Sequence, residues 1–263
     1  MRCVKHKLLG LDREGNVFQH DGKWNMKTLW NALQGPVRLG AMDAEGKTVL
    51  ADVPWSQQLL TVQQGQPPVM RDWGVDRPSC LTLSADGSLA ALGYPGGAIQ
   101  IWDLKNNAQL VSRNWQRGPI LSVAFVTQGQ LALATGSQVI LWHWPSAKQF
   151  VIPHEVQDGC VAMAADAKGN RLALATASGT VYVISTQTGL RISTQWEGSP
   201  KVAGLCWNEE GSGLWCVSHQ GHLFQRRVPA TLGKSSSEVE RYLGVRLDGQ
   251  GNLVRRRDGL FNP

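Results

Sequence analysis

Five glycines set the period of this chain: Gly46, Gly87, Gly129, Gly169 and Gly211, spaced 41, 42, 40 and 42 residues apart. Each sits in a short polar turn, as in Asp43-Ala-Glu-Gly46, Ala85-Asp-Gly87 and Asp166-Ala-Lys-Gly169. A period near 40 means that one structural unit is copied along the chain. Such a unit cannot bury its apolar face alone and must stack on its neighbours. That constraint decides the architecture, and it lowers the expectation that any single residue is catalytic.

Residues 78–118 show the unit most clearly. Cys80-Leu-Thr-Leu83 reads as a first strand and Leu89-Ala-Ala-Leu92 as a second. Ile99-Gln-Ile-Trp102 alternates apolar and polar residues, as a half-buried strand does, and Leu110-Val-Ser-Arg113 is a polar-edged fourth. Glycine-rich turns separate them, because glycine takes the positive φ that tight turns need. Leu131-Ala-Leu-Ala134 and Leu172-Ala-Leu-Ala175 repeat the second strand, and Val139-Ile-Leu-Trp142 and Val181-Tyr-Val-Ile184 the third. The predicted fold is all-β, a β-propeller of four-stranded antiparallel blades. Inner strands crowd the channel, so the small Leu/Ala second strand is expected to lie there.

Over residues 37–228 the pattern resembles the WD-repeat family of propellers. The closest copy, residues 78–104, ends in Ile101-Trp102-Asp103, which carries the dipeptide that names that family. Elsewhere the dipeptide becomes Trp142-His143, Ile184-Ser185 and Arg226-Arg227, and the family's Gly-His pair is missing, with His154 alone near its place. The resemblance implies an interaction scaffold. It does not carry over the family's buried histidine–aspartate network.

The chain has 263 residues and a formal net charge of +6, with 42% of residues hydrophobic. It can pack a core, and the charge permits an anionic partner without requiring one. No apolar run suits a signal peptide or a membrane span. Cys3, Cys80, Cys160, Cys206 and Cys216 make an odd count without a Cys-x-x-Cys pair. Buried reduced thiols and a cytoplasmic location are expected.

Where the WD-repeat family puts its histidine, this chain mostly puts tryptophan. Trp30, Trp73, Trp115 and Trp196 share the corner that leads from an outer strand into the next blade. They read as wedges between blades, with a partner-gripping aromatic ring as the alternative. Tyr94, Gln138, Thr180 and His219 lie in or next to the turns between second and third strands, and are the candidate partner-binding residues.

Catalytic chemistry finds no support in the sequence. His219-Gln-Gly-His222 lacks a carboxylate or cysteine placed to complete a metal site. Gly233-Lys234-Ser235 lacks the upstream glycine of a phosphate loop. No Gly-x-Ser-x-Gly elbow occurs, and no acid–base pair stands out. Neither cofactor nor metal is expected.

Residues 1–228 therefore read as blades, 229–237 as a polar linker, and 238–263 as a short helix with a closing hairpin. Residues 4–30 show three strands, so the tail is expected to lend the first blade its fourth, through Leu243–Leu247 or Leu253–Arg256. Six blades are favoured; seven or an open partial ring are the alternatives. The tail also resembles the segment after propellers in bacterial WD-repeat proteins, including those fused to serine/threonine kinases. The expected function is a non-enzymatic scaffold for a protein or peptide, with no membrane partner. A nucleic-acid-binding propeller using Arg226-Arg227 and Arg255-Arg256-Arg257 is the runner-up. A propeller-class hydrolase or lactonase is third.

Overall fold

The computed structural model describes residues 2–4, 7–20, 26–33, 35–54, 56, 58–72, 76–116, 118–152, 159–196, 201–228, 245–247 and 253–255. The chain divides into two compact units, Met1–Val228 and Pro229–Pro263. The first is a β-propeller of six blades, each a meander in which sequence neighbours pair antiparallel.

Blade 1 contains β1 (Arg2–Val4), β2 (Lys7–Leu11), β3 (Asn16–His20) and β4 (Met26–Asn31). Blade 2 contains β5 (Leu39–Met42), β6 (Thr48–Asp52), β7 (Leu59–Gln63) and β8 (Val69–Arg71). Blade 3 contains β9 (Cys80–Leu83), β10 (Leu89–Gly93), β11 (Ala98–Asp103) and β12 (Ala108–Asn114). Blade 4 contains β13 (Ser122–Thr127), β14 (Gln130–Ala134), β15 (Val139–His143) and β16 (Lys148–Val151). Blade 5 contains β17 (Cys160–Ala165), β18 (Arg171–Thr176), β19 (Val181–Ser185) and β20 (Arg191–Trp196). Blade 6 shows three strands among the described residues: β21 (Val202–Trp207), β22 (Gly213–Ser218) and β23 (Leu223–Arg227). In the second unit, β24 (Val245–Leu247) and β25 (Leu253–Arg255) pair antiparallel with each other. The helix expected near residue 238 lies outside the described residues.

Two expectations need correction. Residues 2–31 hold all four strands of blade 1, so its fourth strand comes from Arg2–Val4 and not from the tail. Three residues ending beside a turn are too short to show a period in sequence. The channel, in turn, is lined by the first strands rather than the second. β5 touches β9, β9 touches β13, β13 touches β17, β17 touches β21, and β21 meets β1. The Leu/Ala second strands lie one step outward, between neighbouring blades. Their leucines and alanines are buried on both faces, as in Leu131–Ala134 and Leu172–Ala175. Small residues suit that place because two sheets close on it from either side.

Among the described residues, buried apolar clusters fill five of the joints. Val17, Leu33, Val49 and Val62 fill the joint of blades 1 and 2. Leu50, Leu83, Ala90 and Leu92 fill that of blades 2 and 3. Ile99, Ile101, Ile120, Leu131 and Ile140 belong to blades 3 and 4. Leu141, Cys160 and Leu172 belong to blades 4 and 5, and Ala173, Val183, Leu205, Trp207 and Leu214 to blades 5 and 6. Such burial, at roughly 25 cal/mol per Å² of apolar area, is what lets strands of three to seven residues hold together.

The repeating glycines register these joints. Gly169 has φ +69° and Gly211 φ +67°, in the left-handed region. A Cβ on Gly169 would lie 2.8 Å from the Val126 carbonyl oxygen of blade 4. On Gly211 it would lie 2.1 Å from the Arg171 guanidinium of blade 5. Each turn thus nests on the blade before it, and both its conformation and its contact exclude a side chain. Gly129 is the exception. Its turn closes directly from Thr127 to Gln130, and its φ is not positive.

Candidate functional site

The first-to-second turns share a pattern of caps. The Asp43 carboxylate accepts from the Lys47 and Thr48 amides at 2.9 and 3.0 Å, and Asp166 accepts from Asn170 and Arg171 at 2.8 and 3.1 Å. Asn208 Oδ1 accepts from the Gly213 amide at 2.9 Å. The short turn at Gly129 leaves no place for such a residue. Because strands alternate in direction, these turns lie on one face of the ring. The second-to-third turns lie on the opposite face, with the connections between blades.

On that opposite face a second cap repeats. Thr135 Oγ1 accepts from the Gln138 amide at 3.2 Å, Thr176 Oγ1 from Thr180 at 3.2 Å, and Ser218 Oγ from His222 at 3.1 Å. Hydroxyls favour this because they can close a turn without leaving their own strand. Matching backbone bonds run from Tyr94 to Ala98, Thr135 to Gln138, Thr176 to Thr180 and Ser218 to His222, N–H to carbonyl in each case. The structural equivalents are therefore Ala98, Gln138, Thr180 and His222, one to a blade. Turn membership grouped His219 with Gln138 and Thr180, whereas His222 is the residue at Thr180's address. Both histidines are exposed in the same turn.

Tyr94 does not sit out in its turn. It takes the address of the capping hydroxyls and is 6% exposed. Its hydroxyl donates to Gln100 Oε1 at 2.9 Å, and burial, then the Asp76 charge, pushes its pKa up to about 12. Gln138 and Thr180 are half-buried.

The corner tryptophans act as wedges where they are described. Trp115 is buried, edge-on to Trp142 at 5.5 Å between ring centres, with the Arg113 guanidinium 4.1 Å above its face. Trp30 reaches from blade 1 to donate to the Gly46 carbonyl of blade 2 at 3.0 Å. Trp73 lies outside the described residues, as does the Trp196 side chain. Trp207, not singled out from sequence, does the same work. Its indole donates to the Ala164 carbonyl at 2.9 Å, and Arg171 stacks on it at 4.6 Å. In the Trp102-Asp103 dipeptide the carboxylate caps the Lys105 and Asn106 amides, while Trp102 packs on the cluster between blades 2 and 3.

The first strands enclose a central cavity of about 660 Å³. Its wall is built largely from small residues, among them Gly40, Ala41, Thr82, Ala124 and Ala164. Among the described residues, no lysine, arginine or histidine lines it; Glu45 and Glu209 lie at the mouth on the first-turn face. Cys80 and Cys160 have thiols pushed up to about 12 by burial, so neither is a ready nucleophile at neutral pH. Among the described residues, no three His, Cys, Asp or Glu side chains gather as a metal site would require, and no helix is long and apolar enough to cross a membrane. The chain matches no protein-family model and no curated protein.

Proposed function

We propose that this protein is a WD-repeat-like propeller that acts as a non-enzymatic platform for a protein or peptide partner. The observation that carries the reading is the repeated hydroxyl cap. Thr135, Thr176 and Ser218 fix the same turn in three blades, while the residues they hold are Gln138, Thr180 and His222. One frame thus offers unlike side chains at set spacing, beside the exposed His219. Turns already closed by their own hydrogen bonds lose little freedom on binding, which favours recognition. The cytoplasm is the proposed location, and the tail resemblance suggests a bacterial signalling system as the setting.

The test is affinity capture of the tagged protein from its native cells, repeated with Gln138, Thr180, His219 and His222 all changed to Ala. The variant should melt within ~2 °C of the parent, since all four side chains are exposed or half-buried, and lose the partner. Undiminished capture by a folded variant would contradict the reading. The exposed Arg226 and Arg227 on β23 favour a second reading, an anionic nucleic-acid partner. Binding of that kind should weaken by orders of magnitude between low and physiological salt.

A further inference from the structure

The blades repeat, so each address can be compared from joint to joint. In the second strand, Leu50, Ala91, Ala132 and Ala173 occupy one address and face the next blade, where each belongs to the apolar cluster of that joint. All four are 0% exposed. In blade 6 the address belongs to Trp215, which is only half-buried. Two residues on, Asp52, Gly93, Ala134 and Ala175 are buried, and Val217 is half-buried. In the third strand, Leu59, Ile99, Val139 and Val181 are buried and Leu223 is half-buried. Thr61, Ile101, Leu141 and Val183 are buried, whereas Gln225 is exposed.

Strand register fixes where these residues point. Trp215 pairs with Cys206 and with Gln225, and Val217 with Gly204 and with Leu223, so all share one side of the sheet. The other side, with Leu205, Trp207, Leu214 and Cys216, packs on blade 5. The first set therefore faces blade 1. There, Leu9 belongs to the joint with blade 2, so Leu8 and its pair Cys3 face blade 6. Leu8 and Cys206 are buried at 4% and 5% exposure. Among the described residues, the seam is closed beside the channel, where β1 meets β21, and only half-buried further out.

We infer that the seam between blades 6 and 1 is the hinge at which this ring opens, while the other five joints stay shut. Opening separates β1 from β21 and gives side access to the central cavity. Local opening of this kind follows the element with the least buried apolar contact. The cysteines supply built-in reporters. Cys206 faces the seam, Cys160 belongs to the joint of blades 4 and 5, and Cys216 to that of blades 5 and 6. A buried thiol reacts only when its joint opens.

The experiment is iodoacetamide labelling of the full native chain, followed residue by residue by mass spectrometry. Cys206 should label at least roughly 10-fold faster than Cys160 and Cys216, because those two wait for wider unfolding. Equal slow rates at all three sites would overturn the inference. Cys206 also borders the channel, so a variant separates the two routes of access. Gln225→Leu restores the apolar address that Leu141 fills in blade 4, and should slow Cys206 labelling severalfold while leaving Cys80, another channel thiol, unchanged. Gln225→Val serves the same purpose should the leucine variant fold poorly. Fast Cys206 labelling that ignores both replacements would show entry through the channel and likewise sink the proposal.

Discussion

The two sides of blade 6 are built on opposite plans. Toward blade 5 the sheet buries Leu205, Trp207, Leu214 and Cys216, and an ion pair backs them. Arg171 Nε donates to Asp166 Oδ2 at 3.0 Å, lies 4.6 Å over Trp207, and fills the space that glycine leaves at Gly211. Toward blade 1 the same strands present the half-buried Trp215, Val217 and Leu223 and the exposed Gln225. One sheet thus carries a sealed joint and an open one. Stability in a repeat array resides in such neighbour interfaces as much as in the units, and the ring inherits the difference.

Among substitutions that remove or restrict a side chain, the largest effect should come from breaking the sealed side at its ion pair. Arg171→Ala leaves the Asp166 carboxylate buried with one partner fewer and strips the cation from Trp207. A loss of about 3–5 kcal/mol is expected in urea unfolding. Leu214→Ala opens a cavity in the same joint and should cost about 2–4 kcal/mol by the same measurement. Gly211→Ala comes next. The left-handed backbone alone costs a side chain ~1–2 kcal/mol, and the new methyl meets the guanidinium. Combined with Arg171→Ala, it should cost less than the sum of the two single changes, since the contact is shared. Strict additivity would show that Gly211 serves its own turn and not the joint.

Much of this was legible in sequence, and the failures have physical causes. The glycine period marked out five of the blades because a positive φ favours glycine at Gly46, Gly87, Gly169 and Gly211, and at the last two the neighbouring blade also occupies the place of a Cβ. The channel wall was misread because small residues occur for two reasons. In Ala41, Ala124 and Ala164 they make room for a cavity; in Ala132 and Ala173 they let two sheets approach. Composition cannot separate those cases. Tyr94 looked like a turn residue because Pro95-Gly-Gly97 follows it, yet its ring is the inner stop of the strand. His222 was legible in the spacing, since it follows Gly211 by the same 11 residues that separate Thr180 from Gly169 and Ala98 from Gly87; the hydrogen bond from its amide to Ser218 is what shows the match in the structure.

The smallest predicted effect concerns the joint of blades 3 and 4. The Ser84 hydroxyl, donating at 2.6 Å, is the main cause that holds the Asp86 carboxyl below its usual range, with the Ser88 amide and hydroxyl adding to it. Gln128 of blade 4 donates to the same carboxylate at 2.8 Å. A depressed folded pKa stabilises above the unfolded value and loses that contribution as pH falls through the folded one. Stability should therefore decline more gently below pH ~4 in Asp86→Asn than in the parent, as read from melting curves across pH. An unchanged acid limb would remove Asp86 from the joint's account.

The contrast between the two sides of blade 6 is tested most directly by placing one charge at one repeat address in two joints. Ala173 faces blade 6 across the sealed joint, and Trp215 faces blade 1 across the open one. Urea unfolding of Ala173→Asp and Trp215→Asp compares the same introduced carboxylate in the two joints. A carboxylate buried without a partner costs several kcal/mol, whereas one that reaches water costs little. The account predicts that Ala173→Asp unfolds or loses most of its stability, while Trp215→Asp keeps a single cooperative transition near that of the parent. Equal losses in the two variants would contradict it.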